Sequence, residues 1–239
     1  MTVLLKKQIS AGAVPITVVD RAGFQQLVAT LPAPTRQWLH TTGFNGAADS
    51  HALVPDASGA LERVFAGVER ADAPFVLSAL PQLLPEGDYC LAGDGLQPPP
   101  EQAALSWELG AYTFDLYKAR RRAPARLQLV NDPASQRGLA VAAVVAATRD
   151  LVNTPAEHMG PAELAAAARL VANQHGAKFR QVMGDALLKQ NFPAIHAVGR
   201  ASTRAPRLIE LSWGRPRDPL LAIVGKGVCF DSQRLPRHP

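Results

Sequence analysis

The chain has 239 residues, 47% of them hydrophobic and 19% charged, with a formal net charge of +5. That leaves room for one large domain or two modest ones. The balance excludes an intrinsically disordered chain and a disulfide scaffold, and 20 prolines and 18 glycines scattered without a period exclude collagen-like and solenoid repeats.

The first stretch, to about residue 125, alternates short apolar runs with turn-rich segments. Residues 14–19 and 61–68 read as strands, residues 24–31 as a helix closed by Pro32 and Pro34, and Asp56-Ala57-Ser58-Gly59 as a turn between two strands. Gln97-Pro98-Pro99-Pro100 marks a stiff connector, after which Leu105, Leu109, Tyr112 and Phe114 or Leu116 give helical spacing over 101–118. An α/β domain with a mixed sheet is expected, with 126–130 as its last strand.

Pro133-Ala134-Ser135 opens a predicted helix over 135–151 that crosses into a second domain. Residues 161–175 form an amphipathic helix with Pro161 near its start and Gly176 at its end. Beyond it, 178–183 reads as a strand, 185–190 as a helix, 207–213 as a strand and 220–224 as a buried strand. This rhythm predicts a parallel sheet covered on both faces.

The longest apolar run, 139–148, is shorter than the roughly 18 residues that a membrane span needs. Lys6 and Lys7 are not followed by the apolar stretch and cleavage site of a secretory signal, so a cytoplasmic protein without membrane contact is expected. Cys90 and Cys229 form no CxxC and read as buried free thiols. The cations are densest at Lys118, Arg120, Arg121, Arg122 and Arg126, but nucleic-acid footprints are normally denser and interleaved with stacking aromatics. Only weak, nonspecific nucleic-acid association is expected of them.

No GxGxxG, GxxxxGK[ST] or GxSxG occurs, and Glu157-His158 is not part of an HExxH. What carries chemistry is one segment in which the apolar Leu221-Ala222-Ile223-Val224 runs into Gly225-Lys226-Gly227 and Asp231 follows the lysine by five positions. Three readings fit those residues. A lysine between glycines after a strand resembles the end of a phosphate-binding loop, whose other residues are absent. The same segment reads as a metal site, because glycines allow a sharp turn at the carboxyl end of a strand and Asp231 supplies hard oxygen. There Lys226 ligates only as the neutral amine, which burial and metal charge favour. The third reading is a structural turn with an exposed lysine.

Val224-Gly225-Lys226-Gly227-Val228-Cys229-Phe230-Asp231-Ser232 resembles the metal-binding signature of the leucyl aminopeptidase (cytosol aminopeptidase, peptidase M17) family. Upstream segments match in order and approximate spacing: Arg149-Asp150-Leu151-Val152-Asn153-Thr154-Pro155-Ala156, Met159-Gly160-Pro161, Phe192-Pro193, His196-Ala197-Val198-Gly199-Arg200-Ala201-Ser202 and Pro206-Arg207-Leu208-Ile209-Glu210-Leu211. The resemblance covers about residues 105–232. It implies an N-terminal α/β domain similar to a macro domain, over 1–132, and the first part of an α/β metallo-exopeptidase catalytic domain, over 133–232. By position, Lys226 ligates one of two divalent ions, manganese, zinc or magnesium, and Asp231 bridges both. The implied activity is removal of N-terminal residues, often leucine, from peptides, by enzymes that assemble as homo-hexamers.

The pattern departs after Ser232. The family continues with two glycines and a catalytic lysine, whereas this chain reads Gln233-Arg234-Leu235-Pro236-Arg237-His238-Pro239, with His238 at the lysine's position. The later Asp ligands and the Asp-Ala-Glu-Gly-Arg segment are not among these residues, so 233–239 is expected to be a non-family tail and the chain an inactive N-terminal portion. The alternative class is a non-catalytic nucleic-acid-binding or assembly module, since some members of the family bind DNA. Among the remaining features, Asn153-Thr154-Pro155 is expected to end a helix, His196 to be a satisfied core histidine, and Gly199-Arg200 to line a cleft or cap a helix.

Overall fold

The computed structural model describes residues 1–229. Two compact units divide the chain, one over Met1–Arg149 and one from Asp150 onward.

The first unit is built on six strands: β1 (Val3–Lys6), β2 (Val14–Val19), β3 (His51–Pro55), β4 (Leu61–Gly67), β5 (Asp88–Leu91) and β6 (Arg126–Val130). They lie in the order β1-β6-β5-β2-β4-β3. Every neighbouring pair is parallel except β3 with β4. That pair is a hairpin whose turn is the predicted Asp56-Ala57-Ser58-Gly59. The Asp56 carboxylate accepts from the backbone N–H groups of Ser58 and Ala60, and Gly59 takes the φ of 86° that the reversal requires.

Strand periodicity sorts the core into two layers. Ile16, Val18, Val64 and Ala66 face one layer with Trp107 and Leu139, while Val19 and Phe65 face the other with Phe24, Leu39 and Phe44. The helices follow: α1 (Arg21–Val28) and α2 (Ala33–Thr41) supply Phe24 and Leu39, and α3 (Leu80–Leu83), α4 (Pro100–Ala111) and α5 (Pro133–Asn153) supply Leu80, Trp107 and Leu139. The sheet is therefore covered on both faces, as its mainly parallel pairing requires.

Local chemistry moves several boundaries. Asp20 accepts from the Gly23 N–H at 2.6 Å and so starts α1 at Arg21, three residues before the sequence pattern suggests. Helix α1 ends at Val28, before the expected 31, and Pro32 and Pro34, read as its stop, open α2 instead, because proline fits a first helical turn whose N–H groups have no intrahelical acceptor. The helix expected over 101–118 stops at Ala111, where Tyr112 turns extended with ψ at 132°.

In the second unit, α6 (Pro161–His175) precedes β7 (Lys178–Met183), α7 (Ala186–Lys189), α8 (Pro193–Gly199) and β8 (Arg207–Ser212). Gly176 ends α6 with a left-handed φ of 65°. The parallel sheet expected here is not what forms: β7 and β8 pair antiparallel, Lys178 opposite Ser212 through Met183 opposite Arg207. Residues 220–224 are not a buried strand either. Leu220 is 95% exposed, Ile223 89% and Val224 95%, because no described strand lies beside them to satisfy their backbone groups. No helix among the described residues is long and apolar enough to cross a membrane.

Candidate functional site

The residues around the signature begin where α5 ends. The Thr154 N–H and hydroxyl both donate to the Asp150 carbonyl, and Asn153-Thr154-Pro155 closes the helix as expected. Residues 155–159 then form a turn in which His158 and Met159 donate backbone N–H groups to the Pro155 carbonyl. Gly160 precedes α6, and Pro161 occupies the first helical position. The Glu163 carboxylate reaches back to accept the Gly160 N–H at 3.0 Å, which satisfies a donor that the helix cannot. Backbone N–H groups of Glu163 itself and of Gly160 hold that carboxyl below its ordinary range, with Arg204 and Arg207 adding positive potential.

Arg204 is the residue that the sequence reading missed. Its guanidinium donates to the Ala156 carbonyl at 2.7 Å and to the Glu157 carbonyl at 2.5 Å, so one side chain clamps two successive carbonyls of the turn. Its own N–H donates to the Ser202 hydroxyl. The approach is close: a Cβ on Gly160 would stand 2.6 Å from Arg204 Nη1 and 2.9 Å from Glu163 Oε2. An unassigned arginine in the loop between Gly199 and the β8 strand was the only sequence signal for this contact; the glutamate two residues after Pro161 was a legible helix-start pattern.

The signature segment meets this turn partway along. Gly225 and Lys226 are exposed and outside regular structure. Gly227 rests on the first turn of α6, where an added Cβ would lie 3.1 Å from Leu164 Cδ2. Cys229 is half-buried, and burial pushes its thiol up, while Arg204 pulls it down and Glu163 pushes it up again. Lys226 is thus placed beside, and not within, the layer formed by Glu163, Leu164 and Arg204. Asp231 lies outside the described residues.

Among the described residues, no group of three or more His, Cys, Asp or Glu side chains could hold a metal ion. Lys226 alone does not make a metal centre, so the described donors do not by themselves fit one. His196 is hydrogen-bonded, with Nε2 3.0 Å from Asp185 Oδ1, but it is half-buried on a helix without buried residues and not the core histidine expected. Gly199-Arg200 ends α8, with Arg200 at its C-terminal cap. Both cysteines are free and half-buried, where buried thiols were expected. In the basic cluster, Arg120 pairs with Asp115, Arg126 pairs with Asp88, and Arg122 donates to the carbonyls of Leu84 and Gln82. Much of that positive charge is engaged within the unit.

Comparison with known proteins follows the same two-part division. Residues 14–130 match the family described as M17 aminopeptidase, N-terminal domain, and residues 146–233 match the cytosol aminopeptidase family, catalytic domain. A probable cytosol aminopeptidase of Streptomyces coelicolor is 33% identical over 210 residues, which cover 77% of this chain and 37% of that protein. The crystal structure of the cytosol aminopeptidase from Coxiella burnetii superposes with a TM-score of 0.83 at 35% identity, covering 91% of this chain and 47% of that one. The bottromycin maturation enzyme BotP in complex with Mn gives a TM-score of 0.67 at 25% identity, over 86% of this chain and 46% of that one. The chain spans less than half the length of each of these relatives.

Proposed function

Because this chain belongs to the cytosol (leucyl) aminopeptidase family, M17, we propose that it carries the N-terminal domain, residues 1–132, and the first part of the catalytic domain, residues 133–232, of a metal-dependent aminopeptidase. The proposed activity is hydrolysis of N-terminal residues, leucine among them, from peptides. The observation that carries this reading is the match across residues 146–233, which runs through the signature containing Lys226 and Asp231.

In this reading Lys226 and Asp231 would supply two of the donors of a two-metal site. Divalent ions held there would supply Lewis-acid chemistry, polarising a carbonyl and lowering a water's pKa. Such a pair needs more than an amine and one carboxylate, so these 239 residues are proposed to be inactive without the donors that relatives carry further along. Manganese or zinc in that site, peptide substrates, hexamer formation and a cytoplasmic location belong to the same proposal. The description of the relatives as cytosol aminopeptidases supports the peptide substrates and the location.

The test joins residues 1–232 to the remaining catalytic residues of the Coxiella burnetii relative and assays release of leucine from leucine amide with added manganese or zinc. Metal-dependent turnover by the chimera, with none from the 239-residue chain, is expected. A folded chimera without turnover would contradict the catalytic reading. Turnover by the 239-residue chain that disappears in Lys226→Ala would contradict the need for further ligands.

A further inference from the structure

We propose that Arg204 is a positioning residue for the Lys226 signature, holding in place the turn and helix start on which Gly227 rests. The inference rests on the catalytic reading for its importance, but its geometry stands apart from any metal. Three segments distant in sequence meet here: residues 155–164, the loop that carries Arg204, and the signature. The turn over 155–159 contributes the carbonyls of Ala156 and Glu157, both accepting from Arg204. The first turn of α6 contributes Glu163, which holds the Gly160 N–H, and Leu164, against which Gly227 packs. The signature contributes Gly227, where an added Cβ would lie 3.1 Å from Leu164 Cδ2.

The chemistry suits arginine and no other cation. A guanidinium presents several N–H groups in a rigid plane and can serve two adjacent carbonyls at once, whereas a lysine ammonium is a point charge on a flexible stem. The space is fitted to it as well. Gly160 leaves room for the guanidinium, and any side chain there would meet Arg204 and Glu163 together. Displacing Arg204 therefore frees the turn, removes positive potential from Glu163 and loosens the layer under Gly227. Lys226, one residue before Gly227, then loses its fixed neighbour. Arg204 touches no reacting group in this account and acts only through these residues.

Backbone 15N relaxation of the 239-residue chain tests the proposal. In the wild type, the amides of Ala156, Glu157 and Gly227 should show order parameters near the rigid value of about 0.85, and Arg204→Gln should drop all of them below about 0.6. The β7–β8 amides should stay rigid, which separates positioning from general destabilisation. Arg204→Lys should restore order only partly. Gly160→Ala, which displaces the guanidinium without removing it, should reproduce the Arg204→Gln pattern. The proposal is overturned if Gly227 is already mobile in the wild type, if it keeps its order in Arg204→Gln, or if β7 and β8 loosen equally. An inactive chimera beside this relaxation pattern would remove the catalytic reading and leave the positioning role standing.

Discussion

Asp94 lies in the loop after β5, where its carboxylate accepts from the Thr17 hydroxyl at 3.0 Å and pairs with Arg63. Burial pushes this carboxyl up, but the hydrogen bonds from Arg63 and Thr17 outweigh it, and the net shift is downward. A depressed folded-state pKa adds stability that is present above the unfolded value of about 3.9 and lost as pH falls through the folded value. Asp94→Asn should therefore cost about 1 kcal/mol at neutral pH, a figure kept low because the pair is partly exposed, and should flatten the acid limb of the stability profile. Urea denaturation at several pH values reads both effects, and an unchanged acid limb would contradict the assignment. Gly110 makes a second single-residue claim. A Cβ there would overlap the Ser78 backbone, which cannot yield as a side chain can, so Gly110→Ala should cost about 3 kcal/mol in the same experiment. Neither residue was legible in the sequence, because each depends on a partner remote along the chain.

Legibility is greatest for elements whose signals are local. Strands β2, β6 and β7 and helix α6 emerge with the bounds read from alternation, β-branched content, a proline at the helix start and Gly176 at its end. Strands β1 and β5 have only four residues each and leave too little pattern to read. Helix α2 was hidden because its prolines read as stops. Residues 220–224 show the opposite failure: a strong strand pattern does not make a strand without a partner ladder. That exposed run is an aggregation liability. Ile223→Lys should reduce the self-association of the purified chain in sedimentation velocity, and a concentration-dependent species that persists unchanged would contradict this. The basic segment between α4 and β6 has Arg120 and Arg122 tied to acceptors of its own unit. Its DNA binding should be weak, indifferent to sequence and lost between low and physiological salt. A mobility-shift assay showing tight, sequence-selective binding at physiological salt would favour the binding-module reading.

The whole molecule divides where its chemistry divides. The six-stranded unit has its own two-layered core, and a chain of residues 1–149 should unfold in one cooperative transition on its own. A non-cooperative melt of that segment would show that it needs the rest of the chain. The family was legible because the signature is contiguous, but the surroundings of Lys226 were not, since Arg204 and Leu164 come from separate segments and meet only in the fold. Lys226 and Asp231 are the proposed metal ligands. Anomalous diffraction from zinc-soaked crystals of the chimera tests that assignment most directly. Two zinc peaks are expected, with Lys226 Nζ and an Asp231 oxygen each within about 2.2 Å of a peak. Two occupied ions with neither residue coordinating them would contradict it.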